Sequence, residues 1–493
     1  MKLNRRNFLK STALTAAALS LPARVRAAAD GANGDIRMAM IGFKGRGQEH
    51  IKSYLKMKGV RIAAFCDVDK EVLDKGVAQL KDKGQDAAGY TDIRKLLENK
   101  DIDAVSIATP NHWHSLAAIW AIQAGKDVYV EKPVSHEVWE GRQLVKAADA
   151  HQRIVQMGVQ SRSGYGLREA IAWTSAGNLG KLVYVRGLCY KRRPSIGKVD
   201  GPQPIPSNVD YDLWCGPAAK LPLMRKNLHY DWHWVWNTGN GDIGNQGIHQ
   251  MDIARRFLGE PELSPKIFSV GGRVGYIDDG QTPNSQFVFH EYEKAPLIFE
   301  VRGLPEKTDS KSMDKYRGAS VGVIVQYEGG HVLCPDYNDA IAFDKDGQEI
   351  KHFTLPKGKD AVAAAGPEFS ENHFQNFIDC VRSRKASDLH GKILDGHISS
   401  ALCHTGNISH RLGKKASPDE IREAVKANPE AMDSLQRLVA HLSANQVDIN
   451  MEQLTLGQYL KMDPKTEKFI GNADADKMLK REYREPFVVP ETV

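Results

Sequence analysis

Three stretches of this chain carry residue types able to move a proton or hold an anionic ligand. Glu131-Lys132-Pro133 closes the apolar run Asp127-Val-Tyr-Val130. A lysine there, pushed below its free pKa by burial and a nearby cationic cofactor ring, can transfer a proton or polarise an oxygen. The alternative is an ordinary strand-end surface lysine. The second stretch runs from Gly239 through Asp242, Asn245, His249 and Asp252 to Gly259. With Asp242 as the cap of a helix, Asn245, His249 and Asp252 fall at i, i+4 and i+7 on one face. A histidine flanked one turn either way by an amide and a carboxylate suits a general base oriented by its neighbours; a solvated polar face is the competing reading. The aromatic run His229-Tyr-Asp-Trp232-His-Trp-Val-Trp236 just before it favours a carbohydrate platform, with ordinary core as the alternative. The third stretch is Gly42-Phe-Lys-Gly45-Arg46-Gly47, followed by an acid, Asp67, at the end of Val60–Cys66. Glycines let backbone N–H groups approach a pyrophosphate at a helix N-terminus, and the acid accepts from a ribose.

These residues need a frame that brings strand ends together. Apolar runs at 36–41, 60–66, 104–108, 127–130 and 154–158 alternate with helical patterns, which predicts a doubly wound parallel sheet through about residue 158. Thr109, Pro110, Asn111 and His114 then lie at the carboxyl end of a parallel strand, where open α/β sheets bind ligands. From Leu182 to Phe343, six alternating strands with few helices between them predict a mostly antiparallel, one-sided sheet. Helices are expected over 372–383 and 396–412, and one more in a polar tail from Ser417 to Val493. Gln160, Arg162, Tyr190 and Arg192 fall just past strand ends, the first toward a cofactor and the others toward a substrate.

A chain of 493 residues is too long for one core, which predicts two domains plus extensions. The formal charge of +6 is misleading, because Lys2, Arg5, Arg6, Lys10, Arg24 and Arg26 stand in the first 29 residues without a single acid. The remainder is formally neutral and gives no electrostatic case for nucleic acid or an anionic membrane. Arg5-Arg6-Asn7-Phe8-Leu9-Lys10, a short alanine-rich run and Ala27-Ala28-Ala29 read as a twin-arginine export signal, with no cysteine nearby for a lipid anchor. Six scattered cysteines show no metal-ligand spacing; export of an already folded protein predicts free, buried thiols.

Taken together, the Gly42–Gly47 turn with Asp67, Thr109-Pro-Asn with His114, Glu131-Lys132-Pro133 and Gly-Ile-His249-x-x-Asp252 resemble the glucose–fructose oxidoreductase/inositol dehydrogenase (Gfo/Idh/MocA) family over about 36–412. The resemblance implies a signal over 1–29, a Rossmann domain over 36–158, a substrate and oligomerisation domain with an open sheet over 159–412, and an extension over 413–493. It implies a homo-oligomer, a cis Pro133, a Lys132 that reaches nicotinamide and substrate, and a His249 that removes the hydroxyl proton. Many relatives carry aspartate where this chain has Asn245, which removes an Asp–His relay. Asp67 favours NAD over NADP, and Arg46 partly offsets that. The expected reaction oxidises a hydroxyl of a sugar, polyol or glycoside, with Asn245 and Asp252 among the substrate contacts. A periplasm without free nicotinamide further implies a tightly held cofactor. The competing readings are a redox-neutral, glycoside-cleaving enzyme and a non-catalytic sugar-binding protein.

Overall fold

The computed structural model describes residues 34–356 and 372–493; the amino-terminal signal segment lies outside them. Six strands form the first sheet: β1 (Ile36–Ile41), β2 (Val60–Cys66), β3 (Ala88–Tyr90), β4 (Ala104–Ile107), β5 (Asp127–Glu131) and β6 (Val155–Gly158). They lie in the order β3-β2-β1-β4-β5-β6 and every pair is parallel. The chain winds outward from β1 in one direction and from β4 in the other, so the crevice beyond their carboxyl ends is the topological switch point. Strands β4, β5 and β6 are buried along their whole length, because helices cover both faces. One face packs on helices Asn111–Gln123 and Val138–His151, the other on Gly47–Tyr54, Lys70–Lys81 and His373–Ser383.

The second sheet holds β7 (Leu182–Tyr190), β8 (Lys266–Gly272), β9 (Ser285–His290), β10 (Leu297–Arg302), β11 (Val321–Tyr327), β12 (Gly330–Cys334), β13 (Ala340–Asp344), β14 (Glu349–Phe353), β15 (Lys414–Lys415) and β16 (Thr455–Leu456). Their order is β14-β13-β12-β11-β7-β10-β9-β8-β16-β15, antiparallel except for β7 beside β10. The α/β class and the mostly antiparallel second sheet agree with the sequence reading.

The sheet is not one-sided, however. All six residues of β9 and of β10 are buried. Leu297, Phe299 and Val301 face helices Gly247–Leu258 and Ile393–Arg411, while Phe287, Phe289 and Ile298 face the opposite way. That second face is covered by helices Pro418–Val425 and Pro429–Ala444, through Ile421, Val425, Leu435, Leu438 and Leu442. The tail therefore carries two substantial helices, and the short strands β15 and β16 extend the sheet edge beside β8. The helix read as continuous from Asp242 is broken. Gly241–Asn245 ends at Gln246 and a second helix starts at Gly247, with no side-chain cap at either start. Asp242 instead takes two hydrogen bonds of 2.7 Å from Arg193. All six cysteines are free and buried.

Candidate dinucleotide and active site

The β1 turn is shaped by what a side chain would strike. Gly42 has φ +71°, and a Cβ there would stand 2.8 Å from the Thr109 side chain, so only glycine lets the β1 and β4 ends approach. A Cβ on Gly47 would meet the Gly42 carbonyl at 2.5 Å, whereas one on Gly45 would meet nothing within 4 Å. The turn is packed at its two ends and open in the middle. No side chain caps the helix Gly47–Tyr54, and its Gln48 and Glu49 N–H groups turn back on the Gly45 and Arg46 carbonyls at 3.0 Å. Asp67 follows directly on β2, and its carboxylate accepts from the backbone N–H of Phe43 at 3.2 Å and of Asp69 at 3.0 Å. Burial pushes its pKa up to about 6.

A cavity of about 330 Å³ opens over this switch point, within the usual ligand-pocket range of roughly 300–1,000 Å³. Gly42, Gly45, Arg46, Asp67, Thr109, Pro110, Asn111, His114, Glu131, Lys132 and Asn245 line it. The residues present fit a dinucleotide: an open glycine backbone, a carboxylate at the β2 end, and the buried Thr109 Oγ1, which has no hydrogen-bond partner. His114 is set between the carbonyls of Thr109 (2.7 Å) and Pro133 (2.6 Å), bracing the ends of β4 and β5. Asn111 donates to the Asn240 side chain at 2.9 Å and joins the two domains beside the cavity.

Glu131 is the hub of the site. It accepts from Arg46 Nε at 2.9 Å, His50 Nε2 at 3.0 Å and the Lys132 backbone N–H at 3.2 Å. Burial pushes this carboxyl upward, but the His50 hydrogen bond and the charges of Arg46 and Lys132 outweigh it and hold the pKa well below the ordinary value. An ionised Glu131 fixes the His50 tautomer, so Nδ1 accepts from Ser106 Oγ at 2.8 Å. Gln160 does not reach the cavity; it donates to the Tyr129 hydroxyl at 2.9 Å beside Glu131. The Lys132–Pro133 peptide is cis.

The Lys132 ammonium donates to the Asn245 carbonyl at 2.6 Å, where the broken helix turns. Burial pulls its pKa below the ordinary value, against the Glu131 charge. His249 begins the next turn of chain, 5% exposed, with its ring 4.5 Å from that of Tyr337 and Nδ1 unpartnered. Burial and then the Lys132 charge hold its pKa well below 6.5, so the ring is neutral at pH 7. The structure thus brings Lys132 against Asn245 at the cavity, while His249 lies outside the cavity lining on the following helix, near enough for the Lys132 charge to act on it.

Other expected residues go elsewhere. Asp252 is fully buried and accepts from Arg162 at 2.8–3.1 Å and from Ser399 Oγ at 2.7 Å, so both charges of that pair are consumed inside the second domain. Tyr190 turns to the far face of its sheet and donates to Glu300 beside Arg437. Arg192 is exposed and donates to the Ser310 carbonyl. Gly47 packs beneath the turn.

Sequence reasoning assigned no role to His50, Leu213 or Trp214. The last two, with His229, Tyr230, Trp232 and His233 from the aromatic run read as a carbohydrate platform, make the wall opposite the glycine turn. The His233 ring stacks on Trp232 at 3.6 Å, and its Nδ1 donates to the Tyr230 carbonyl at 2.5 Å. Burial pushes its pKa down to about 3, which leaves a neutral ring with Nε2 as the acceptor.

A glycine turn at the switch point of a parallel sheet, with an acid just past β2 and an aromatic segment before the Gly241–Asn245 helix closing the far wall, defines a dinucleotide-binding protein of two α/β units. Residues 36–159 match the Gfo/Idh/MocA oxidoreductase family model for the NAD-binding Rossmann fold, and 182–294 match its C-terminal alpha/beta domain. The chain belongs to the Gfo/Idh/MocA oxidoreductase family. Residues 2–22 match the twin-arginine translocation signal, which marks the chain for that export route. No helix among the described residues is long and apolar enough to cross a membrane.

A glycosyl hydrolase family 109 protein of Shewanella pealeana is 35% identical over 179 residues, 32% of this chain and 39% of that protein. An alpha-N-acetylgalactosaminidase of Shewanella oneidensis is 34% identical over 139 residues, 27% of this chain and 30% of that protein. The matches thus span well under half of these relatives. The WlbA dehydrogenase of Bordetella pertussis, crystallised with NADH and UDP-GlcNAcA, shares the fold with TM-score 0.54 and 18% identity over 75% of this chain and 93% of its own.

Proposed function

We propose that this protein binds NAD in the switch-point cavity and oxidises a hydroxyl of a sugar, polyol or glycoside, keeping its cofactor through many turnovers. The observation that carries the reading is Lys132, which lines that cavity with its ammonium on the Asn245 carbonyl and whose charge reaches the His249 ring, its Nδ1 unpartnered, on the following helix. A dinucleotide bound there supplies a hydride acceptor and, once reduced, the donor that returns it. Lys132 steadies negative charge developing on the substrate oxygen. His249 takes the hydroxyl proton on Nδ1, and its neutral state at pH 7 leaves that nitrogen free to do so. Glu131, fixed by Arg46 and His50, positions Lys132.

Asp67 supports NAD over NADP, because a buried carboxylate repels a 2′-phosphate and Arg46 is committed to Glu131. NAD affinity should weaken as the pH falls below about 6, where the carboxylate takes up a proton. Titration calorimetry between pH 5 and 8 checks this, and Asp67→Asn should flatten the dependence.

A second reading is redox-neutral glycoside cleavage. The names of the Shewanella relatives favour it, as do Tyr230 and His233 in the cavity wall. Oxidation beside a C–H bond acidifies that proton. His233 Nε2 would remove it as the aglycone leaves with its bonding electrons, and water would then add before the hydride returns. Purified protein with aryl glycosides and free sugars separates the cases. Aglycone release without net cofactor reduction supports cleavage, an accumulating keto-sugar supports dehydrogenation, and no turnover by wild type rejects both. Mass spectrometry of the small molecule freed on denaturation should find NAD.

A further inference from the structure

Between β7 and the helix Gly241–Asn245 the chain runs for some fifty residues with little regular structure, and long loops inside a compact fold are commonly functional. This stretch crosses from the second domain and lies over the dinucleotide cavity as a roof, through Leu213, Trp214, His229, Tyr230 and Trp232. Its fastening to the first domain is specific. Asp69, two residues beyond Asp67, is 2% exposed and forms an isolated antiparallel bridge with Val209. The Lys70 N–H donates to the Asn208 carbonyl at 2.8 Å, and the Asp210 N–H to the Val68 carbonyl at 3.0 Å. The Asp69 carboxylate receives Asn208 Nδ2 at 2.6 Å and His229 Nε2 at 2.9 Å, both from the roof.

Two more fastenings lie along the same roof. Trp113 Nε1 donates to the Leu213 carbonyl at 3.0 Å, and His112 Nε2 lies 2.9 Å from the Trp214 carbonyl. From the carboxyl end of the chain, Arg484 donates to the Asp212 carboxylate at 3.0 Å and to its carbonyl at 2.8 Å. Phe487, three residues on, is buried against Trp113 and Trp120. Elements distant in sequence thus converge on one lid. A ligand lying along the Gly42–Arg46 turn toward Asp67 has the roof above it and the sheet below.

We infer that Asp69 is a cofactor-retention residue: it touches no ligand, but pins the roof through Asn208 and His229 so that the dinucleotide leaves only when this latch opens. The inference rests on the NAD reading above and extends it from affinity to residence time. Loading then belongs before or during the final folding step, ahead of export by a route that carries folded proteins.

The test measures NAD retained by the full-length holoprotein over time, after dilution into an NAD-consuming enzyme, by mass spectrometry of the protein-bound fraction. Asn208→Ala with His229→Ala leaves the helix cap made by Asp69 intact and should speed release at least tenfold. Arg484→Ala should add to that. His229→Gln, which restores an N–H donor toward Asp69, should slow release again, a rescue that a mere loss of stability would not show. Equal release from wild type and variants, at unchanged NAD content, overturns the latch and leaves the NAD reading standing. A wild-type protein that neither carries nor takes up NAD overturns both.

Discussion

Replacing Lys132 by Met is expected to cut turnover by about 10³-fold while leaving the dinucleotide in place. The loss follows from what the ammonium does: in a partly buried cavity it is the cation held against the Asn245 carbonyl beside His249, where charge develops on the substrate oxygen. Folding should not suffer. Burial already disfavours the charged form of this lysine, so a neutral side chain of similar length relieves a cost. Lys132→Arg should not rescue, since a guanidinium is larger and does not release its proton. The wild-type pH profile carries the same information. Its acid limb, from protonation of His249, should lie below pH 6.5, and its alkaline limb, from deprotonation of Lys132, below 10.5. Steady-state rates from pH 4 to 10, with bound NAD counted in parallel, check both. A Lys132→Met protein with wild-type turnover would remove this lysine from the mechanism.

Which parts of this site were legible in the sequence depended on how local their cause is. The glycine turn, the acid just past β2 and the strand-end Glu131-Lys132-Pro133 all announce themselves within a few residues, because strand–turn–helix periodicity fixes where each side chain falls. Tyr190 shows the limit of that reasoning. It does end a strand, but side chains alternate across a sheet, and its parity sends it to the face away from helix Gly247–Leu258 while Cys189 faces that helix. The one-sided sheet failed for a similar reason: β10 carries Glu300 and Arg302 on a face that helices of the distant tail cover, where Arg437 pairs with Glu300. The roof has no period to read. Its order comes from Asp69, Trp113 and Arg484, more than 90 residues from their partners. His50 was hidden differently, since a lone histidine on a helix declares nothing until Glu131 and Ser106 are found on its two nitrogens.

Asp252 sharpens the same distinction into a measurement. Read from sequence as a substrate contact, it would change KM and leave stability untouched. Its surroundings point to a loss of stability. The carboxylate is wholly enclosed and holds Arg162 through three contacts of 2.8–3.1 Å, with Ser399 at 2.7 Å and Arg255 at 4.0 Å. Asp252→Ala strips a buried guanidinium of its main partner and should destabilise the second domain by about 3–5 kcal/mol, read as a lowered midpoint in denaturant. Burial alone would raise the Asp252 pKa, but the charge and hydrogen bonds of Arg162 bring it down to about 2, below its unfolded value of about 3.9. Its stabilisation is therefore full above pH ~4 and fades as the pH falls toward 2. The double change Arg162→Met with Asp252→Leu removes both charges together, and should cost less than Asp252→Ala alone, because no uncompensated ion is left inside. If Asp252→Ala instead melted like wild type and only KM rose, the carboxylate would belong to the substrate after all.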